Sequence, residues 1–221
     1  MTGILEKDYS QEAVVMAKLC GFTYAGTLPE HLNAVYGVTE KKWEENVQRL
    51  LKSDTYIKYL VIGEAAPETL AGEVSYFYNN CHGSWCKALV EGVIPWHQVP
   101  VDTERKFEEL ARRQFLLADT MPFALNYSAA NRRGKKAYKE LVKMCANSYL
   151  RKKLFDPRLK WADDVKVAFG VKKNAMAMME AFPNGFSLPN GEIVHFNIDL
   201  VATTEANYPH ADQIRRVFEL A

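Results

Sequence analysis

Nowhere in the 221 residues does an apolar run approach the ~18–20 residues that a membrane-spanning helix needs, so no integral helical membrane protein is expected. The start, Met-Thr-Gly-Ile-Leu-Glu-Lys-Asp, has neither the basic n-region nor the apolar h-region of a secretory signal, and the expected location is the cytoplasm. A P-loop, a Gly-x-Gly-x-x-Gly turn and a Ser-His-Asp arrangement are all missing, which removes the sequence support for NTPase, dinucleotide and acyl-transfer chemistry. Repeats, low-complexity tracts and long linkers are missing too. Cysteine is scarce, with four residues and no Cys-x-x-Cys. Cys20 and Cys145 fall on apolar faces of expected helices, and all four thiols are expected to be reduced, with Cys81/His82/Cys86 the only residual metal candidate. No metal or cofactor is otherwise expected.

What is present is an ordinary globular composition, 48% hydrophobic and 25% charged, in a chain long enough for one sizeable core. A single domain spanning 1–221 is expected, with 1–56 an N-terminal helical segment packed on it. The net charge of +1 hides an asymmetry. Eleven basic residues and two acids, Glu140 and Asp156, lie between Arg132 and Lys160, so the rest of the chain is acidic. Positive charge gathered this way suits a polyanion such as nucleic acid, or simply makes a solvated, lysine-rich helix face.

Hydropathy gives an alternation of elements. Helices are expected at 10–20, from an N-capping Thr39 through Trp43, Val47, Leu50 and Leu51, and at 103–113, 135–155, 172–182 and 211–220. Short apolar runs predict strands at 58–63, 115–118, 165–169 and 198–203, with a hairpin turn at Pro189-Asn190-Gly191. Residues 68–100 read as a long irregular segment. Four apolar strands separated by helices predict an α/β three-layer sandwich: a central four-stranded parallel sheet with helices on both faces. In such sheets ligands bind beyond the carboxyl ends of the strands. Glu64, Asp119, Gly170 and the 204–210 loop all follow strand ends and are expected to converge there.

The first strand runs into Gly63-Glu64-Ala65-Ala66-Pro67, followed by the aromatic run Tyr76-Phe77-Tyr78. These features, with Leu-Leu-Ala-Asp119, Val165-Lys-Val-Ala-Phe-Gly170 and Asn207-Tyr208-Pro209-His210, resemble the uracil-DNA glycosylase superfamily over roughly residues 57–220. The first loop is similar to that family's Gly-Glu-Ala-Pro-Gly motif. Tyr76 or Phe77 stands where the family stacks an aromatic on the flipped base, and Asp119 where it reads the base with Asn. Asn207 to His210 stand at the His-Pro-Ser-Pro motif. The chain departs from the family at Ala65, where a water-orienting Asp is usual, and at Asp119, whose ionised form offers only acceptors.

The resemblance implies hydrolysis of the N-glycosidic bond of a damaged or deaminated base in DNA. Glu64, Asp119 and His210 would be catalytic. Gly63, Ala65, Ala66, Pro67, Tyr76, Phe77 and Asn207 would hold the base. Arg132, Arg133, Lys135 and Lys136 would grip phosphate, and the protein would act as a monomer on DNA. Two alternatives stay open. One is a non-catalytic nucleobase- or DNA-binding protein of the same fold; the other is a small-molecule hydrolase using Glu64 and Asp119. Glu64 can equally be a structural cap, Asp119 a turn residue, and His210 the start of the last helix.

Overall fold

A computed structural model of the chain describes residues 3–20, 28–67, 74–81, 83–125, 135–203 and 209–220. At its centre lies strand β1 (Ile57–Gly63), whose Leu60, Val61 and Ile62 are completely buried. Burial on both faces is what a continuous apolar run requires of a central parallel strand. Strands β2 (Phe115–Asp119) and β3 (Trp161–Phe169) pair with it in parallel, in the order β2-β1-β3. The register sets Gly63 beside Asp119 and Ile62 beside Phe169, so the strand ends lie level.

The described sheet has three strands, not four. The segment expected as the fourth, 198–203, forms a single 3-10 turn (Ile198–Leu200) and then one parallel bridge, Phe169 to Val201. The reason is local: the Asn197 side chain accepts from the Asp199 N–H at 2.8 Å, which closes a turn where a ladder would have to begin. Next to it Ala202 still donates its N–H to the Phe169 carbonyl, so the chain touches the sheet edge without extending it. The expected hairpin at 189–191 is present as β4 (Phe186–Ser187) and β5 (Ile193–Val194), with Gly191 at φ +88° in the turn.

Helices α1 (Ile4–Asp8) and α2 (Ser10–Cys20) join the same core as the sheet. Tyr9 packs edge-on against both Tyr36 and Tyr149, and the Tyr36 hydroxyl donates to Asp8 at 3.0 Å. Helix α3 runs from Glu30 to Ser53. Thr39 does not cap it: the residue is buried mid-helix and its hydroxyl bonds back to the Tyr36 carbonyl at 2.9 Å.

The stretch expected to be irregular contains helix α4 (Gly83–Val93). Cys86, Leu89, Val90 and Val93 form its buried stripe. Cys81 and Cys86 are joined in a disulfide, against the expectation of free thiols, because the first turn of α4 brings Cys86 to a Cα–Cα distance of 5.4 Å from Cys81. Cys20 and Cys145 are free. Helix α5 (Thr103–Arg112) is capped by Asp102, whose carboxylate accepts from the Arg105 N–H.

The long helix expected at 135–155 is three pieces in line: α6 (Lys135–Cys145), a π turn (Ala146–Leu150) and α7 (Arg151–Leu154). Helix α8 (Lys172–Ala181) follows β3, and α9 (Ala211–Phe218) closes the described chain. Helix α6 packs on α2 and α8, α3 on α5, and α4 on α9. No helix among the described residues is long and apolar enough to cross a membrane.

The α4–α9 contact has no slack. A Cβ built on Gly92 would lie 2.7 Å from both Cβ and Cγ2 of Ile214, itself fully buried. Gly92→Ala is therefore expected to lower the urea midpoint, at a cost of about 1–3 kcal/mol, although alanine is the better helix former. Pairing it with Ile214→Val should return part of the loss.

Candidate functional site

The sheet ends in a knot of hydrogen bonds around one atom, the Gly63 carbonyl oxygen. It accepts from the Thr120 N–H at 3.0 Å, the Thr120 hydroxyl at 2.8 Å and the Asn174 amide at 2.9 Å. The same amide also donates to the Thr120 hydroxyl at 2.8 Å. Asn174 and Thr120 are fully buried. These bonds tie the end of β1 to the end of β2 and to the first turn of α8, which continues from β3.

Glycine is required here for a second reason. A Cβ on residue 63 would fall 2.0 Å from Oδ1 of Asp119, whose carboxyl folds over the Gly63 Cα. The loop beyond is fastened just as closely. Met121 donates its N–H to the Glu64 carbonyl and Leu125 to the Ala66 carbonyl, each at 3.0 Å, and Pro67 bridges to Leu125. Ala65 and Ala66 are buried.

Two carboxyl groups stand on these neighbouring strand ends. Glu64 is only 1% exposed, and the Tyr138 hydroxyl of α6 donates to its Oε1 at 2.5 Å. The ammonium of Lys173 lies 4.6 Å from the Tyr138 ring centroid. Asp119 keeps partial solvent access yet is dehydrated by the protein packed around it. That burial pushes its pKa up to about 7; the positive charge of Lys153 works against the rise and the negative charge of Glu64 adds to it.

The aromatic run lies behind this pair, in the core. Phe77 is 6% exposed and packs against Tyr78, Trp85, Phe107 and Phe115. The Tyr78 hydroxyl accepts the Leu117 N–H at 2.7 Å, satisfying a donor of the sheet's outer strand β2. Burial pushes the pKa of the Tyr76 phenol up, and the Asp119 charge adds to the rise.

His210 precedes α9 and is exposed, with its ring nitrogen 3.6 Å from Asp212. Asn207, Arg132, Arg133 and His82 lie outside the described residues, as does the side chain of Lys135. Lys136 is exposed. Much of the basic segment is spent on internal partners. Lys139 pairs with Glu180, Lys160 with Asp54, and Arg158 with both Glu44 and Asp156. Arg151 lies over the Phe155 and Phe186 rings, and Lys153 is buried against Glu40. Lys136, Lys143 and Lys152 are exposed. Among the described residues no group of three or more potential metal ligands gathers.

Tyr138, Lys153 and Asn174 were not candidates from the sequence. Tyr138 and Lys153 sit in an amphipathic, lysine-rich helix where an inward tyrosine reads as core and a lysine as surface. Asn174 carries a usable signal, a polar residue in the first turn of a helix directly after a buried strand. Comparison with known proteins returned no family model, no curated relative and no solved structure that matches the chain.

Because Asp119 takes up its proton more readily in the folded chain than in the unfolded one, folding favours the protonated form. The associated stability is complete below the unfolded pKa near 4 and is lost as pH rises through about 7. Asp119→Asn is expected to gain stability over the wild type between pH 4 and pH 8, by up to about 4 kcal/mol, in urea titrations at several pH values. Asn174→Ala should cost about 1–3 kcal/mol at every pH, since it strips a buried donor from the Gly63 carbonyl.

Proposed function

We propose that the chain is a glycosylase-type hydrolase that cleaves the N-glycosidic bond of a damaged or deaminated base in DNA, and that its catalytic group is Asp119. The observation that carries this reading is the carboxyl pair at the ends of β1 and β2, with Asp119 half-buried and its pKa pushed up to about 7 by desolvation. Glycosidic cleavage proceeds through a cation-like sugar, which a negative pocket favours. In this reading ionised Asp119 takes a proton from the water that attacks C1′ of the sugar. The C1′–N bond breaks with its electron pair passing to the base, and Asp119 then returns the proton to that base. A pKa near the working pH suits a group that must both take and give a proton. Glu64, locked by Tyr138, supplies a fixed negative charge beside it.

The wider setting of the proposal is a three-layer α/β domain with helices on both faces, working as a monomer in the cytoplasm. Exposed Lys136, Lys143 and Lys152, together with Arg132 and Arg133 of the same basic stretch, would contact phosphate. One observation favours the second reading, a protein that binds DNA or a nucleobase without turnover. The Phe77 ring is enclosed by four other rings, so it offers a base no free face in this conformation.

Duplex and single-stranded DNA carrying a panel of damaged bases separates these readings. The hydrolase reading predicts release of a free base, with kcat/KM rising through about pH 7 as Asp119 ionises. Asp119→Asn should lower it by roughly 10²–10⁴-fold without loss of fold. Salt-sensitive DNA binding with no base released would establish the second reading. Turnover of nucleosides that is indifferent to DNA would instead mark a small-molecule hydrolase.

A further inference from the structure

We propose that Trp85 and Asp119 are the two walls of a binding slot for a flat nitrogen heterocycle, standing over a floor made by Gly63 and Gly170: the indole stacks on the ligand's ring and the Asp119 carboxyl accepts from an N–H at its edge. The inference rests on the hydrolase reading only for identifying that heterocycle with the excised base; the slot itself does not depend on turnover.

The floor follows from the register. Val61 pairs with Ala168 and Ile62 with Phe169, and the Gly170 N–H continues the ladder to the Ile62 carbonyl at 3.1 Å, so Gly170 stands level with Gly63 on the neighbouring strand. Level partners in a parallel pair point to one face of the sheet, and so do residues two apart on one strand. A Cβ on Gly170 would lie 3.6 Å from Val61 Cγ1, which puts Gly170 on the face that Val61 shares with Gly63. The two glycines are therefore neighbours on one face, about 5 Å apart. Neither takes a positive φ, so their backbones do not ask for glycine; the space above them does.

Two side chains enter that space. Asp119 folds its carboxyl over Gly63 from β2, and Trp85 reaches over Gly170 from the first turn of α4. Trp85 Cζ2 lies 3.1 Å from the Gly170 Cβ position and its ring neighbour Cε2 3.9 Å, so the indole meets the sheet edge-on and turns its faces sideways. The ring is half-buried, whereas Tyr76, Phe77 and Tyr78 are buried. Four rings meet Phe77; among the described residues Phe77 is the one ring that meets Trp85, at 6.2 Å. A tryptophan that only filled the core would be enclosed as Phe77 is. The disulfide from the next residue, Cys86, to Cys81 pins the first turn of α4 and with it the indole. A carboxylate accepts and a ring N–H donates, so a flat nitrogen heterocycle gives Trp85 a face and Asp119 a donor at once. A saturated ring would give Trp85 nothing to stack on.

The test is binding of two free deaminated bases, uracil and hypoxanthine, to the full chain, followed by NMR on the Trp85 indole N–H resonance, which Trp85→Phe assigns. At least one of the two should bind and shift that resonance. The control 1,3-dimethyluracil, which has no N–H, should bind more weakly than uracil, and Asp119→Ala should abolish that difference. Trp85→Ala should weaken binding by roughly tenfold or more, and Trp85→Phe should keep most of it. Phe77→Leu should lower the urea midpoint and leave the affinity in place. Should Trp85→Ala fail to fold, Gly170→Ala takes its part: the new Cβ would crowd the indole edge, shift the Trp85 resonance and weaken binding. A wild type that binds neither base, or a folded Trp85→Ala protein that binds them as the wild type does, would overturn the inference, and release of a base from damaged DNA would still leave the hydrolase reading standing. Binding that depends on Trp85, with no base released from any damaged DNA, would do the reverse.

Discussion

The Gly63 carbonyl oxygen is the point on which the upper edge of the sheet depends. Backbone ladders fix strands laterally, but the three strands each end in a different loop, and ladders alone do not hold those loops level. One oxygen with three donors does so: Thr120 supplies two from the end of β2, and Asn174 one from the helix that follows β3. Buried polar groups must be satisfied or the fold loses free energy on the order of 1–3 kcal/mol for each. Moving the end of β1 would leave all three donors without this acceptor, and moving either of the other two elements would strip the oxygen of the donors that element supplies. The absence of a side chain at residue 63 lets the Asp119 carboxyl lie directly over this knot. Rigidity at the strand ends and a carboxyl aimed across them thus share a cause.

That placement has a cost. Asp119 stands beside Glu64, is desolvated, and prefers to keep its proton to about neutral pH. A sequence selected for stability alone would put an amide at 119, which would need no proton and would strain nothing. Keeping a carboxyl there is a local expense in stability, since burial favours its protonated form. The surrounding core of large side chains, Phe107, Phe115, Tyr78 and Phe169 among them, supplies the surplus.

The strands were legible because burial on both faces leaves a plain mark, an unbroken apolar run ended by Gly, Asp or a turn. Leu60-Val61-Ile62 and Phe115-Leu116-Leu117 show it, and their ends gave Glu64 and Asp119 as neighbours. The fourth strand was misread because Ile198 and Leu200 look like strand residues while Asn197, whose side chain closes a turn, looks like nothing in particular. Thr39 was misread for a related reason: a hydroxyl that caps one helix can bond back to the preceding turn inside another. Helix α4 hid behind Gly83, Gly92 and the nearby prolines, although Gly92 is there for close packing on Ile214. The Cys81–Cys86 disulfide hid behind a spacing that only helical geometry makes short.

The basic segment shows why a count of charges is a poor guide to a surface. Its eleven cations suggested one cationic face, yet Lys139, Arg158 and Lys160 each meet a carboxylate from a distant part of the chain. Those pairings knit α6 onto α8, and the approach to β3 onto α3 and its C-terminal cap, and they leave fewer charges for an outside partner. Lys153 carries the argument furthest. In sequence it is one of three consecutive cations and indistinguishable from its neighbours. One inserted helical residue turns it inward, beside the Trp43 and Tyr149 rings, where it pairs with Glu40. Its value to the protein comes from where the backbone delivers it rather than from its charge as such, and a π turn is a means of making that delivery without altering either end of the helix.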